Sequence, residues 1–236
     1  THSSFKDKVY MSNLCQEITL PTKPIQHIDD KNGEIALCIL SAVNLGLIKE
    51  KDDLEELCDL SVRALDEIID YQQYPVEAAR ISTQARRSLG IGYIGLAHYL
   101  AKHKVKYSDK QALKVVDEIT EAFQYYLLKA SNTLAQEKGP CEYFDKTKYA
   151  DGILPIDTYK KDLDEIIKRK LSYDWTTLRK NIKKNGLRHS TLSAQMPSES
   201  SSIVSNATNG VEPPRDYLSI KKLISYLLCK SILTKQ

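Results

Sequence analysis

The sequence predicts an α/β fold. Helical periodicity dominates the chain, yet four segments with strand character, at 11–20, 34–43, 89–95 and 187–196, are separated by those helices rather than clustered. That alternation favours α/β over a helical bundle, and neither a repeat nor a low-complexity linker interrupts it. At 236 residues with 42% hydrophobic content, the chain has enough apolar material to bury a substantial core.

Elements follow in order. Thr1–Tyr10 is a polar segment with no helix start of its own, and an initial Thr in place of Met raises the expectation of an excised piece. Glu34–Leu47 (EIALCILSAVNLGL) reads as a buried strand leading into a short helix or turn, bounded by turn chemistry at Asp30-Lys31-Asn32-Gly33 and by Gly46. Between Asp53 and Tyr71, apolar residues at Leu54, Leu57, Cys58, Leu65, Ile68 and Ile69 keep a helical period, with Asp52 or Asp53 placed to cap it. Cys58 lies on that stripe and is expected in the core.

Pro75 can open the next helix, which runs through Arg86-Arg87 until Gly90 and Gly92 interrupt it. The longest helix is expected after Ser108 and Gln111, a possible capping box, and ends at Gly139-Pro140. Its apolar face includes Ala112, Ile119, Phe123, Tyr126 and Leu134, and Tyr125-Tyr126 reads as packing. Asp157 and Asp174 each precede a shorter helical pattern, the second stopping at Gly186. Leu187–Met196 looks like a half-polar strand running into the small polar cluster at 197–202.

Composition excludes several classes. The balance of 34 Lys and Arg against 31 Asp and Glu, a formal +3, announces no polyanion surface, so no nucleic-acid partner is expected. Cysteines at 15, 38, 58, 141 and 229 show no zinc-chelating spacing, and a disulfide framework is not expected at this size. No apolar run reaches the roughly 18 residues that span a bilayer, and no secretory signal opens the chain, so a cytoplasmic location without a membrane partner is the expectation. The sequon Asn206-Ala207-Thr208 then carries no glycan.

Three constellations bear on chemistry. In Ser12-Asn13-Leu14-Cys15-Gln16-Glu17-Ile18, an extended backbone would put Asn13, Cys15 and Glu17 on one face, an amide, a thiol and a carboxylate together. Spacing alone favours an inert packed cysteine over a site. At Pro197–Ser202, hydroxyls and free amides precede a helix start, which suits either a phosphate or ordinary capping by Ser198 or Ser200. Gly90-Ile91-Gly92-Tyr93-Ile94-Gly95 spells a dinucleotide fingerprint, but Ile81–Leu89 is a poor parallel strand and no acid ends a second strand at the required distance.

Four stretches in order, SNLCQEITLPTKP at 12–24, NGEIALCILSAVNLG at 32–46, LPIDTYKKDLD at 154–164, and MPSESSS with SNATNG at 196–210, resemble the large subunit of class I ribonucleotide reductase; EPPR at 212–215 extends the likeness. The resemblance implies part of a ten-stranded α/β barrel, incomplete, over residues 1–221, with Lys222–Gln236 (KLISYLLCKSILTKQ) matching nothing expected there. It implies reduction of ribonucleoside diphosphates by a thiyl radical for DNA precursor synthesis. Cys15 would carry the radical, Glu17 act as base on the 3′ hydroxyl, and Asn13 hydrogen-bond the ribose. Asn13, Leu14, Cys15, Gln16 and Glu17 would line the substrate, and Pro197, Ser198, Glu199, Ser200 and Ser201 would seat its diphosphate. Cys38 matches one thiol of the reducing dithiol, whose partner is expected upstream.

No cofactor is expected within the chain and no metal. The radical is expected from a small subunit with a di-iron tyrosyl centre, and ATP or deoxynucleotide effectors are expected to bind outside these residues. Complementary large-subunit fragments and a thioredoxin- or glutaredoxin-type reductant complete the implied partners. Tyr125-Tyr126 is not the family's relay pair, and Cys229 has no matching context. A split, intron-interrupted or frameshifted gene would explain the unmatched end, with a basic amphipathic docking helix as the alternative for that segment. The competing expectation for the whole is an inactive remnant or scaffold that associates with other reductase subunits.

Overall fold

The computed structural model describes residues 4–168, 170–214 and 216, and the backbone of 218–223 and 226–231. Arg215 of the EPPR stretch, the Cys229 side chain and residues 224, 225 and 232–236 of the tail lie outside the described residues. Helices and strands alternate, as the patterning predicts. Strand β1 (Ile39–Asn44) is followed by helices α1 (Asp53–Tyr71) and α2 (Glu77–Arg86), strand β2 (Leu89–Ile94), and helices α3 (Leu96–Lys102) and α4 (Lys110–Lys138). After these come α5 (Leu163–Ile167), α6 (Trp175–Asn185), α7 (Glu199–Val204) and the strands β3 (Leu218–Leu223) and β4 (Tyr226–Ser231).

β1 and β2 pair in parallel, Ile39 opposite Leu89 through Asn44 opposite Ile94, with α1 and α2 as the crossover that a parallel pair requires. This sheet has two strands and does not close. α1 and α4 pack against each other and over the sheet, burying Leu54, Cys58, Val62, Leu65 and Ile69 from one helix with Ile119, Phe123, Leu127 and Leu134 from the other. Removing one such Leu or Ile side chain costs about 2–5 kcal/mol. Tyr125 stacks on Tyr173 at 4.7 Å and meets Trp175 edge-on at 5.3 Å, so the tyrosine pair packs.

The predicted capping box of the long helix does not form. Asp109 is its N-cap, no side-chain cap bond is made, and the Asp109 carboxylate instead accepts the Lys106 amide at 2.8 Å. Asp174, in contrast, caps α6 by accepting the Thr177 amide at 2.9 Å. Helix α3 was not predicted: Gly95, at φ +74°, turns the chain directly from β2 into it.

Two predicted strands take other forms. Residues 192–198 do alternate buried and exposed, but the segment meets β2 at a single bridge, Ile91 with Ser193. Leu89 donates to the Thr191 carbonyl and Ile91 to that of Leu192, so two residues of β2 advance against one, a bulge that breaks the ladder. At the next rung the Gln195 side chain replaces backbone, its Nε2 donating to the Tyr93 carbonyl at 2.7 Å. The close approach explains the fingerprint glycines: a Cβ on Gly92 would strike the Ala194 carbonyl oxygen. Gly90 and Gly92 therefore sit inside a strand rather than in a phosphate-binding turn, which removes the dinucleotide reading.

The second departure is 11–20, a tight turn rather than a strand. At the far end, β3 and β4 form an antiparallel hairpin, Leu218 opposite Ser231, so the backbone at 226–231 is extended and not helical. Among the described residues, no helix is long and apolar enough to cross a membrane.

Candidate active site

Ser12 and Thr19 form an antiparallel bridge, and the reversal from Asn13 to Ile18 is closed by the Asn13 amide on the Ile18 carbonyl at 3.3 Å. The Asn13 side-chain oxygen accepts the Ile18 amide at 3.2 Å, and Gln16 takes a left-handed φ of 60° to complete the turn. Ile18 and Leu20 then point inward and pack with Phe5 and Ala194. The expectation that Asn13, Cys15 and Glu17 alternate along an extended face is corrected by this turn. Asn13 and Cys15 lie exposed at the tip beside Leu14, which is 96% exposed, while Gln16 is also exposed and Glu17 folds back.

Glu17 Oε2 is buried and has no hydrogen-bond partner. A lone acceptor of this kind costs about 1–3 kcal/mol, and Glu17 Oε2 is one of several such atoms among the described residues, Ser4 Oγ and Thr83 Oγ1 included. Cys38, immediately before β1, is half-buried against the same apolar cluster. Burial, and secondarily the Glu17 carboxylate, push its thiol above the ordinary value. The structure thus brings Glu17 and Cys38 near one another from segments 21 residues apart in number, although no sequence pattern joined them spatially. Cys15 and Cys38 are both free thiols; Cys58 and Cys141 are also free but buried, and burial pushes the Cys141 thiol up to about 12.

The polar segment at 197–201 leads into α7, whose N-cap is Ser198. Ser198 is buried, whereas Pro197, Glu199, Ser200 and Ser201 are exposed. The Ser198 hydroxyl makes no capping bond; the Ser198 and Glu199 amides both donate to Asn209 Oδ1, at 2.6 and 3.2 Å. At the other end of α7, Asn44 Nδ2 donates to the Ser205 carbonyl at 3.2 Å, so the loop sits at the C-terminal end of β1. In parallel α/β sheets that end is where ligands bind.

Sequence reasoning passed over a buried ionic junction, treating Arg86-Arg87 as a basic stretch. Arg87 donates to Asp66 at 2.6 Å and to both oxygens of Asp70 at 2.8 Å, while Arg188 and His189 each reach Asp66 Oδ1 at 3.2 Å. His189 Nδ1 meets the Ser131 hydroxyl at 2.9 Å. Burial raises the Asp66 carboxyl, but the hydrogen bonds from His189 and Arg87 outweigh it and hold the group well below the carboxylate range. Burial lowers His189 to about 4 against the opposing pull of Asp66. Arg86 forms a second cluster, with Glu34 at 2.7 Å and Asp7 at 2.9 Å. The available signal was Asp66 itself, a carboxylate on the apolar stripe between Leu65 and Ile69. Among the described residues no group of three or more His, Cys, Asp or Glu is arranged to hold a metal ion.

A family model described as ribonucleotide reductase, barrel domain, matches residues 1–231. The ribonucleoside-diphosphate reductase subunit alpha of Buchnera aphidicola subsp. Schizaphis graminum is 62% identical over 224 residues, 94% of this chain and 29% of the relative. Subunit alpha of ribonucleoside-diphosphate reductase 1 from Escherichia coli K12 is 61% identical over 224 residues, again 94% of this chain and 29% of the relative. The enterobacteria phage T4 subunit alpha is 46% identical over 219 residues, 92% of this chain and 28% of the relative. The chain therefore spans less than a third of the length of these curated relatives. With most of its length matched and the strand–helix alternation in place, the chain belongs to the ribonucleotide reductase barrel-domain family.

Proposed function

We propose that this chain supplies the reacting thiol, the base and the phosphate seat for reduction of ribonucleoside diphosphates, as part of an α/β barrel completed by large-subunit segments outside it. The observation that carries the reading is the pairing, within one turn, of the exposed Cys15 thiol with a Glu17 carboxylate oxygen that has no partner. A thiyl radical on Cys15 takes the 3′ hydrogen of the ribose, forming S–H and leaving a carbon radical. Glu17 accepts the 3′ hydroxyl proton as that radical evolves, a transfer that needs hydrogen-bond reach and a free lone pair. Asn13, whose Oδ1 already fixes the turn through Ile18, orients the ribose together with the backbone of Leu14 and Gln16.

Loss of the 2′ hydroxyl as water takes two electrons, which a dithiol supplies on closing to a disulfide. Cys38 contributes one sulfur, and its elevated thiol keeps the proton that the departing hydroxyl requires. Pro197–Ser201 receives the diphosphate. The radical comes from a small radical-generating subunit, and a thioredoxin- or glutaredoxin-type protein reopens the disulfide. Residues 1–221 are read as the barrel portion and 222–236 as a tail beyond it, although the family match runs on to residue 231.

The chain is tested joined to complementary large-subunit segments and a small subunit, with deoxycytidine diphosphate formation as the readout. Cys15→Ser is expected to abolish turnover while leaving assembly intact. Retained turnover in that variant would refute the assignment, and wild-type assembly without any turnover would favour a scaffold that binds the other subunits.

A further inference from the structure

The segment from Met196 to Gly210 doubles back on itself. Ser201 and Ser202 amides return to the Ser198 carbonyl at 2.8 and 3.2 Å, and the Ala207 amide reaches the Ser202 carbonyl at 2.9 Å. The Ser201 hydroxyl also donates to the Ser198 carbonyl, and the Ser202 hydroxyl to that of Glu199, both at 2.7 Å. The Ser201 and Ser202 side chains are thus committed to the internal geometry of the turn, and none of these bonds fixes the loop to the sheet.

Two asparagines do that. Asn209 Oδ1 accepts from both Ser198 and Glu199 amides, at 2.6 and 3.2 Å. Glu199 sits at φ 24°, a backbone conformation that a side-chain-bearing residue keeps only when its surroundings hold it there. Asn209 belongs to a stretch anchored in turn to the sheet, since the Gly95 amide at the end of β2 donates to the Thr208 carbonyl at 2.9 Å. Asn44, the last residue of β1, spends its Oδ1 on the Gly46 amide at 3.0 Å and its Nδ2 on the Ser205 carbonyl at 3.2 Å. Each end of the loop is therefore tied to a different strand end through one amide side chain.

We propose that Asn209 and Asn44 are positioning residues that hold the 197–201 loop in the orientation that receives a diphosphate, one from each end. This rests on the phosphate reading of that loop given above. Neither side chain carries charge, so neither competes electrostatically with an anion. Fixing the loop before the ligand arrives removes the ordering cost from binding.

The full 236-residue chain is titrated with inorganic pyrophosphate and with cytidine diphosphate, using wild type, Asn209→Ala and Asn44→Asp. Asn44→Asp keeps an acceptor for Gly46 and removes the donor to Ser205 but adds a negative charge that itself repels phosphate, so Asn44→Ala, which adds none, is measured in parallel and decides for this position. Both alanine variants are expected to bind each probe about tenfold more weakly, the loss of roughly one preorganising hydrogen bond, with unchanged melting temperature. An equal factor for the two probes is expected, because the loop acts on the phosphates alone. Wild-type affinity in both variants overturns the positioning role and leaves the phosphate reading standing. A lowered melting temperature in both assigns the asparagines to the fold and also overturns it. If wild type binds neither probe, the loop reading fails and this inference falls with it.

Discussion

At the Asp66 junction a fully buried carboxylate is met by Arg87, Arg188, His189 and Lys138, drawn from three stretches of the chain. At the Cys15 hairpin a carboxylate oxygen is buried with no partner, and the neighbouring thiol and Leu14 stand in solvent. The two regions treat the same functional group in opposite ways. Where Asp66 lies, α1, α2, α4 and the 188–189 segment converge, and each acceptor lone pair is used to lock them. Around Glu17 the backbone is tied by its own short turn, and one carboxylate oxygen is left without a partner. Stability is concentrated in the first region, which leaves the second free to spend binding capacity on something else.

Breaking the junction is the largest effect expected. Asp66→Ala strands buried guanidinium groups, and loss of one partner from a buried ionic cluster costs about 3–5 kcal/mol. Leu14→Ala, at the exposed tip of the other region, should change stability by less than about 0.5 kcal/mol. Chemical denaturation of both variants checks the contrast; comparable losses would erase the distinction between scaffold and hairpin.

Acid offers a second way to press on the junction. His189 is held neutral, at about 4 against 6.5 for the free imidazole. A base lowered on folding takes up its proton more readily in the unfolded chain, so its contribution is unaffected above pH 6.5 and declines as pH falls from 6.5 towards 4. The loss is roughly 3 kcal/mol at about 1.4 kcal/mol per unit. Asp66, lowered on folding, adds a further loss only below about pH 3.8, the ordinary carboxylate value. His189→Gln should flatten the stability profile between pH 6.5 and 4 while lowering the plateau. A profile still as steep in that variant would place the titration elsewhere.

The contrast also separates what sequence could reveal from what it could not. Helices α1 and α6 followed from periodicity and, for α6, from the Asp174 cap, because both signals are local. The strand expected at 11–20 failed because Gln16 adopts a left-handed turn without a glycine or Asn-Gly to announce it, and the turn signal that was present, Asn13, was read as part of a strand. The strand at 187–196 had the right alternation, but its pairing is replaced by a bulge and by Gln195, and a side chain standing in for backbone leaves no trace in a hydrophobic pattern. Cys15, Glu17 and Cys38 were found by resemblance to a family rather than by their spacing. The Asp66 junction joins residues up to 123 positions apart, and only the oddity of a carboxylate on an apolar stripe pointed to it.

The smallest effect tests the hairpin alone. Cys15 is exposed, whereas Cys38 is half-buried beside Glu17 and Cys58 and Cys141 are buried, so a small alkylating reagent should label Cys15 first among these four. Glu17→Gln removes the negative charge that, after burial, contributes to raising the Cys38 thiol. Labelling of Cys38 should then quicken, with the Cys15 rate setting the internal standard, and the melting temperature should hold or rise because a charged group with one buried, unpartnered oxygen has been replaced by a neutral amide. Each half of that expectation separates a different idea. Faster Cys38 labelling without loss of stability supports a carboxylate that acts on chemistry near Cys38. A Cys38 rate unmoved by the substitution would show that Glu17 does not govern that thiol, and a marked fall in stability would mean that the carboxylate has a structural partner after all, which would place the hairpin in the same category as the Asp66 junction.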